Sequence, residues 1–159
     1  MGLRGSECWR ELPFNVEGIF MDVFEHFIRE AGEIYVGNHL IVDLWKVTNQ
    51  DCHDAILNCF ALACEDAGAT VLFKHCHNFG EGCGTTGVIV LAESHLSWHH
   101  YPEVSLLALD VFMCGAAKPD LALPRIKEFW QPDVVERHHM RRGHVSAHKL
   151  PAHIADTLT

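Results

Sequence analysis

No stretch of this 159-residue chain approaches the run of about 20 apolar residues needed to cross a bilayer. The first residues, Met1-Gly2-Leu3-Arg4-Gly5-Ser6-Glu7-Cys8-Trp9, lack the apolar core of a secretory leader, so a cytoplasmic protein is expected. Basic residues are scarce, with 12 Lys and Arg against 21 Asp and Glu and a formal charge of −9. That leaves no basic stripe to neutralise phosphates, which argues against nucleic acid as a partner. The charge tolerates a cationic substrate, although solubility alone accounts for it. The seven cysteines (Cys8, Cys52, Cys59, Cys64, Cys76, Cys83, Cys114) are odd in number and show no CxxC spacing, so neither a disulfide framework nor a zinc ribbon is indicated. Most are expected to be small buried hydrophobes. Internal repeats and low-complexity tracts are absent too. The length suits one domain with its own core, or a protomer completed by association.

Periodicity supplies the elements. From Asn15 to Ala31 the residues Ile19, Phe20, Val23, Phe24, Phe27 and Ile28 recur at helical spacing, with Gly32 as a stop, predicting an amphipathic helix that covers a sheet edge or an interface. Alternation predicts a strand over His39 to Val47. A helix follows from Thr48 or Asn49 through Ala67, with Ile56, Leu57, Phe60, Ala61 and Cys64 on one face. Further strands are expected over Ala69 to His77, Gly87 to Ala92, His95 to Tyr101, Val104 to Met113 and Val134 to His139. A Gly-rich loop spans Asn78 to Thr85, and a helix spans Leu121 to Trp130 with Pro124 in its first turn, where proline is tolerated. This order implies an α+β fold: a two-layer sandwich whose largely antiparallel sheet carries helices on one face. The other face needs a cover, which dimerisation would provide. The tail after Gly143 has no clear period and is expected to be loosely ordered.

The chemistry concentrates in the run Thr86-Gly87-Val88-Ile89-Val90-Leu91-Ala92-Glu93-Ser94-His95-Leu96-Ser97-Trp98-His99-His100-Tyr101-Pro102-Glu103, where an apolar strand delivers a Glu-Ser bond into a cluster of nucleophiles and bases. That pattern reads as self-cleavage. Together with Asp110-Val111-Phe112-Met113-Cys114-Gly115 it resembles the prokaryotic S-adenosylmethionine decarboxylase proenzymes, whose segment reads roughly GVSGVVxxAESHxSIHTWPE and then DxFxCG. The resemblance runs from Gly37 to Gly143, leaving residues 1–36 as an N-terminal extension and 144–159 as a tail.

Loss of carbon dioxide from an amino acid leaves an electron pair at Cα that no ordinary side chain absorbs, so an electron sink is required. The resemblance implies a pyruvoyl group made from Ser94. Its hydroxyl attacks the Glu93 carbonyl, the amide becomes an ester, and β-elimination and hydrolysis leave a ketone at a new N-terminus, giving chains 1–93 and 94–159. It also implies His99 as the processing base and Thr86, where relatives usually carry Ser, as an assisting hydroxyl. Cys114 is implied as the acid that reprotonates the substrate's α-carbon, a task suited to a thiol of pKa near 8.5. Phe79 would stack on adenine and Glu103 would bind a ribose, although a core aromatic and a solvated turn acid are the ordinary readings of these two. The expected function is decarboxylation of S-adenosylmethionine for spermidine synthesis by a homodimer of cleaved chains. Trp98, His100, Tyr101, Met113 and the loop Gly80 to Thr85 depart from the family pattern. Such bulk would suit a pocket reshaped for ornithine or arginine, and an unprocessed binding homologue is a further alternative.

Distance constrains both this reading and a metal site. At about 3.3 Å per strand residue, His95 and His99 stand roughly 13 Å apart, too far to share one ion. The run Arg137 to His144 reads as a solvated strand end, so no metal is expected. Ser94 and His99 would be roughly 16 Å apart by the same rule. Either the chain folds back after His95, or the histidine that reaches Ser94 belongs to a second protomer.

Overall fold

The computed structural model describes residues 27–48, 53–80 and 82–155. Among the described residues, eight strands and three α-helices follow one another: β1 (Ile28–Glu30), β2 (Glu33–Tyr35), β3 (Gly37–Trp45), α1 (His53–Asp66), β4 (Val71–Asn78), β5 (Thr85–Leu91), β6 (Ser94–Tyr101), β7 (Leu106–Cys114), α2 (Leu123–Trp130), β8 (Val134–Arg142) and α3 (Ala152–Ala155). Six strands form one sheet in the order β4-β5-β6-β7-β3-β8, and every neighbouring pair is antiparallel. The α+β sandwich expected from the element order is therefore present.

Alternation along the strands separates two faces. Leu40, Val42, Leu44, Ile89, Leu91, Leu96, Trp98, Leu107, Leu109, Val111 and Met113 turn inward and are buried. They meet Ile56, Phe60, Ala63 and Cys64 of α1 and Leu123, Ile126 and Trp130 of α2. Phe60 stacks on Trp98 at 4.4 Å between ring centres and lies 6.2 Å from Trp130, so three aromatics tie both helices to the sheet. Arg125 binds Asp66 through Nε and Nη2, linking the exposed edges of the two helices. On the other face Phe73 and Val90 are exposed, while Ile41, Val88 and Phe112 are only half-buried.

Gly87 fixes where Trp98 lies. A Cβ there would come within 2.2 Å of the indole and 2.6 Å of the His75 carbonyl oxygen. Both neighbours are immobile, one a buried ring and the other backbone. Gly87→Ala is expected to cost at least about 2 kcal/mol and to lower the unfolding midpoint by about 4 °C or more. Thermal melts of an uncleaved Ser94→Ala background, with and without the change, measure this.

Two expectations need correction, and a third falls partly outside the described residues. The predicted helix from Asn15 to Ala31 lies outside the described residues up to 26, and its end is not helical: Ile28–Glu30 pairs with Glu33–Tyr35. Ala31 and Gly32, with φ of 51° and 79°, make the turn of that hairpin, so Gly32 is a hairpin residue and not a helix stop. The tail is built onto the same hairpin, since the Val145 N–H donates to the Ile34 carbonyl at 2.8 Å, followed by a 3-10 turn at Ala147–Lys149 and α3. The helix expected from Thr48 or Asn49 begins, within the described residues, at His53. Among the described residues no helix is long and apolar enough to cross a membrane.

Candidate active site

Glu93 and Ser94 meet at the tip of the β5–β6 hairpin, where Leu91 pairs with Ser94 across a two-residue turn. The Glu93 side chain is anchored, its carboxylate accepting hydrogen bonds from the Thr70 N–H at 2.8 Å and the Thr70 hydroxyl at 3.3 Å. Its carbonyl oxygen accepts a hydrogen bond from the Cys114 N–H at 3.0 Å. That donor polarises the carbonyl and is placed to stabilise an oxyanion formed there. Ser94 has φ 146°, a conformation that L-residues rarely adopt and that costs about 1–3 kcal/mol. Its hydroxyl lies 3.2 Å from His95 Nδ1. Nucleophile, neighbouring imidazole and polarised carbonyl thus share one turn.

Around this turn lies a group of side chains on the open face. Phe112 packs against His95 on one side and His39 on the other, at 5.9 and 5.6 Å, and carries the Arg142 guanidinium over its ring at 4.6 Å. His39 Nε2 lies 3.0 Å from Asp110 Oδ1. Burial pushes the Cys114 thiol up; Arg142 pulls it back and Glu93 adds to the rise. The thiol therefore holds its proton at neutral pH. Burial pushes His95 down, His39 and Arg142 push the same way, and Asp110 opposes them. Gly37 makes room for Cys114, because a Cβ there would lie 3.0 Å from Sγ and 2.5 Å from the Met113 carbonyl oxygen.

The remaining candidate residues gather at the other end of the hairpin. Thr86 pairs with His99 across β5 and β6, and its hydroxyl lies 2.9 Å from His99 Nδ1 and 3.1 Å from the Trp98 carbonyl oxygen. His99 stacks on Tyr101 at 6.2 Å. Phe79 follows β4, exposed, with its ring edge-on to His77 at 4.7 Å; His77 in turn pairs with Thr86. Glu103 is exposed in the 3-10 turn Pro102–Val104. β6 pairs without interruption from Ser94 to His100 on both sides. A fold-back after His95 is therefore ruled out, and Ser94 stands five strand residues, roughly 16 Å, from His99 of its own chain.

The residues named from the sequence thus fall into two groups in the fold: Glu93, Ser94 and Cys114 at one end, and Phe79, Thr86, His99 and Glu103 at the other. Sequence reasoning passed over His95, His39, Asp110 and Arg142 around Ser94. Only the direct adjacency of His95 to Ser94 was open to view. The reshaped-pocket idea is corrected for three departures: Trp98, His100 and Met113 are buried on the helix-covered face, and His100 packs on Trp130 at 4.8 Å. These bulky residues fill the core. Tyr101 alone of that group is on the open face. Five described cysteines are free thiols, and among the described residues no cluster of three or more His, Cys, Asp or Glu is arranged to hold a metal ion.

Residues 38–143 match the family profile described as S-adenosylmethionine decarboxylase. The S-adenosylmethionine decarboxylase proenzyme of Methanococcus vannielii is 38% identical over 120 residues, covering 74% of this chain and 98% of that protein. The proenzyme of the same name from Thermodesulfovibrio yellowstonii is 36% identical over 124 residues, covering 73% and 89%. The crystal structure of the adenosylmethionine decarboxylase from Aquifex aeolicus superposes with a TM-score of 0.63 at 31% identity, over 70% of this chain and 94% of that one.

Proposed function

The chain belongs to the S-adenosylmethionine decarboxylase family, and on that premise we propose that it is made as a proenzyme, cuts itself between Glu93 and Ser94, and then releases carbon dioxide from S-adenosylmethionine. The product would be the aminopropyl donor for spermidine synthesis. The observation that carries the self-cleaving step is the turn itself: a strained Ser94 whose hydroxyl has an imidazole beside it, next to a carbonyl polarised by the Cys114 N–H. When formed from Ser94, the pyruvoyl group supplies a ketone for the substrate's amine and a conjugated carbonyl as electron sink. The surroundings fit it. The new N-terminus would begin β6 beside Cys114, whose thiol retains the proton that the substrate's α-carbon needs.

We infer a homodimer in which each site is shared. The sheet carries its helices on one face, and the open face presents Phe73, Val90 and Phe112 beside His95 and His99. A second copy laid face to face, with the two-fold axis crossing the strands, would bring the Ser94 end of one sheet over the Thr86–His99 end of the other. His99 and Thr86 would then assist processing in the partner. Phe79 and Glu103, at the same end, would meet the adenine and the ribose of a substrate attached at the partner's Ser94.

Intact-mass analysis and release of carbon dioxide from S-adenosylmethionine, ornithine and arginine, assayed side by side, test the reading. Two fragments and turnover of S-adenosylmethionine alone are expected. A single intact chain that still decarboxylates would overturn the pyruvoyl assignment. Cys114→Ala is expected to keep cleavage, because the backbone N–H that holds the Glu93 carbonyl survives the change, and to lose at least about 100-fold in turnover. Unchanged turnover would remove Cys114 from the mechanism.

A further inference from the structure

We propose that His95 takes the first proton of self-cleavage, accepting it on Nδ1 from Ser94 Oγ of its own chain and returning it to the Ser94 nitrogen as the ester forms. The proposal rests on the self-cleavage reading above. Processing has to move two different protons: that of the Ser94 hydroxyl during the acyl shift, and that of Ser94 Cα during elimination. One base need not serve both. His95 Nδ1 is 3.2 Å from Ser94 Oγ, within reach of the first proton, whereas His99 of the same chain is roughly 16 Å away along an unbroken strand.

Two further contacts at this turn come from the same chain. The Thr70 N–H and hydroxyl fix the Glu93 side chain, and the Cys114 N–H holds the Glu93 carbonyl oxygen at 3.0 Å. His95 is oriented by Phe112 and is half-buried. The charged and titratable groups around it are His39, Asp110 and Arg142. His39 engages the Asp110 carboxylate at 3.0 Å, so the nearby anion is already partnered. Burial and the two basic neighbours keep the imidazole neutral, which is the form that accepts a proton.

The step balances without another reactant. The Ser94 O–H bond breaks toward His95, Oγ bonds to the Glu93 carbonyl carbon, and the resulting oxyanion rests on the Cys114 N–H. The carbon–nitrogen bond then breaks as the His95 imidazolium gives its proton to the departing nitrogen, leaving an ester and a free amine. Loss of the Cα proton next expels the Glu93 carboxylate from Cβ, and water hydrolyses the resulting dehydroalanine with release of ammonia. The second proton is left to the His99–Thr86 pair presented by the partner.

The test follows freshly translated protein through time with hydroxylamine as a trap, since hydroxylamine cuts the ester and leaves the amide intact. His99→Ala should accumulate chain that hydroxylamine cuts. His95→Asn should form that ester at least about 100-fold more slowly, both alone and combined with His99→Ala, and added imidazole should restore part of the rate to His95→Ala. Ester formation at an undiminished rate in His95→Asn would overturn the proposal. A readout that leaves His95 intact guards against a folding defect: in His99→Ala, the rate of ester formation against pH should fall with a midpoint below the ordinary histidine value of about 6.5. A midpoint at or above that value would also overturn it. Wild-type protein that forms neither ester nor fragments would overturn the self-cleavage reading and the proposal with it.

Discussion

Replacing Ser94 with alanine should leave one uncut chain with no measurable decarboxylation. In the proposed mechanism the hydroxyl is both the nucleophile of cleavage and the precursor of the electron sink, so its removal should end both activities together, a loss of at least about 10⁶-fold in turnover. The fold should survive, because alanine and serine bear the same strain at φ 146° and the pairing of Ser94 with Met113 is made by backbone. A denaturing gel and a carbon dioxide assay decide the matter. Wild-type protein should give fragments of residues 1–93 and 94–159, the second blocked to Edman sequencing because its first residue is a ketone. Residual activity in the uncut variant would exclude a pyruvoyl group from the reaction.

A mixture of two dead variants should regain activity if each site is shared between protomers. Ser94→Ala lacks the nucleophile and His99→Ala lacks the distant histidine, so each should fail to process when expressed alone. In a mixed dimer one site pairs an intact Ser94 with an intact His99 across the interface, and the other site has neither. The chain that becomes cut should be the His99→Ala chain, in the fraction present in mixed dimers, about half at equal expression. A size tag on one variant identifies it. Mixed dimers isolated by two tags that remain wholly uncut would mean that His99 does not act across the interface, and the shared site would then fall.

Local pattern carried most of the architecture. Patterning within single segments marked the strands of the main sheet, the Gly-rich loop before Thr85 separated two of them, and the buried stripe of α1 followed helical spacing. Where spacing misled, around Ile28, a long-range partner decided: Glu33–Tyr35 supplied the backbone bonds of a hairpin, and Ala31 and Gly32 accepted positive φ at its turn. The departures at Trp98, His100 and Met113 looked like pocket chemistry because Trp98 and His100 flank His99, and Met113 precedes Cys114, in the linear order. In the folded sheet they point to the opposite face, since consecutive strand residues alternate.

The sequence by itself determined the α+β class, the family resemblance and the Glu93-Ser94 pair at which cleavage is proposed, because these depend on neighbours within a few positions and on a motif that is contiguous. Only the tertiary structure decided how the candidate residues group. The unbroken register of β6 between β5 and β7 sets Thr86 against His99 and holds both away from Ser94, so a linear cluster becomes two separate groups. The order β6-β7-β3-β8 brings Arg142 and His39 from distant parts of the chain to His95 and Cys114, where their charges act on the imidazole and Arg142 on the thiol. Those groupings follow from strand pairing between segments far apart in sequence, and no local spacing encodes them.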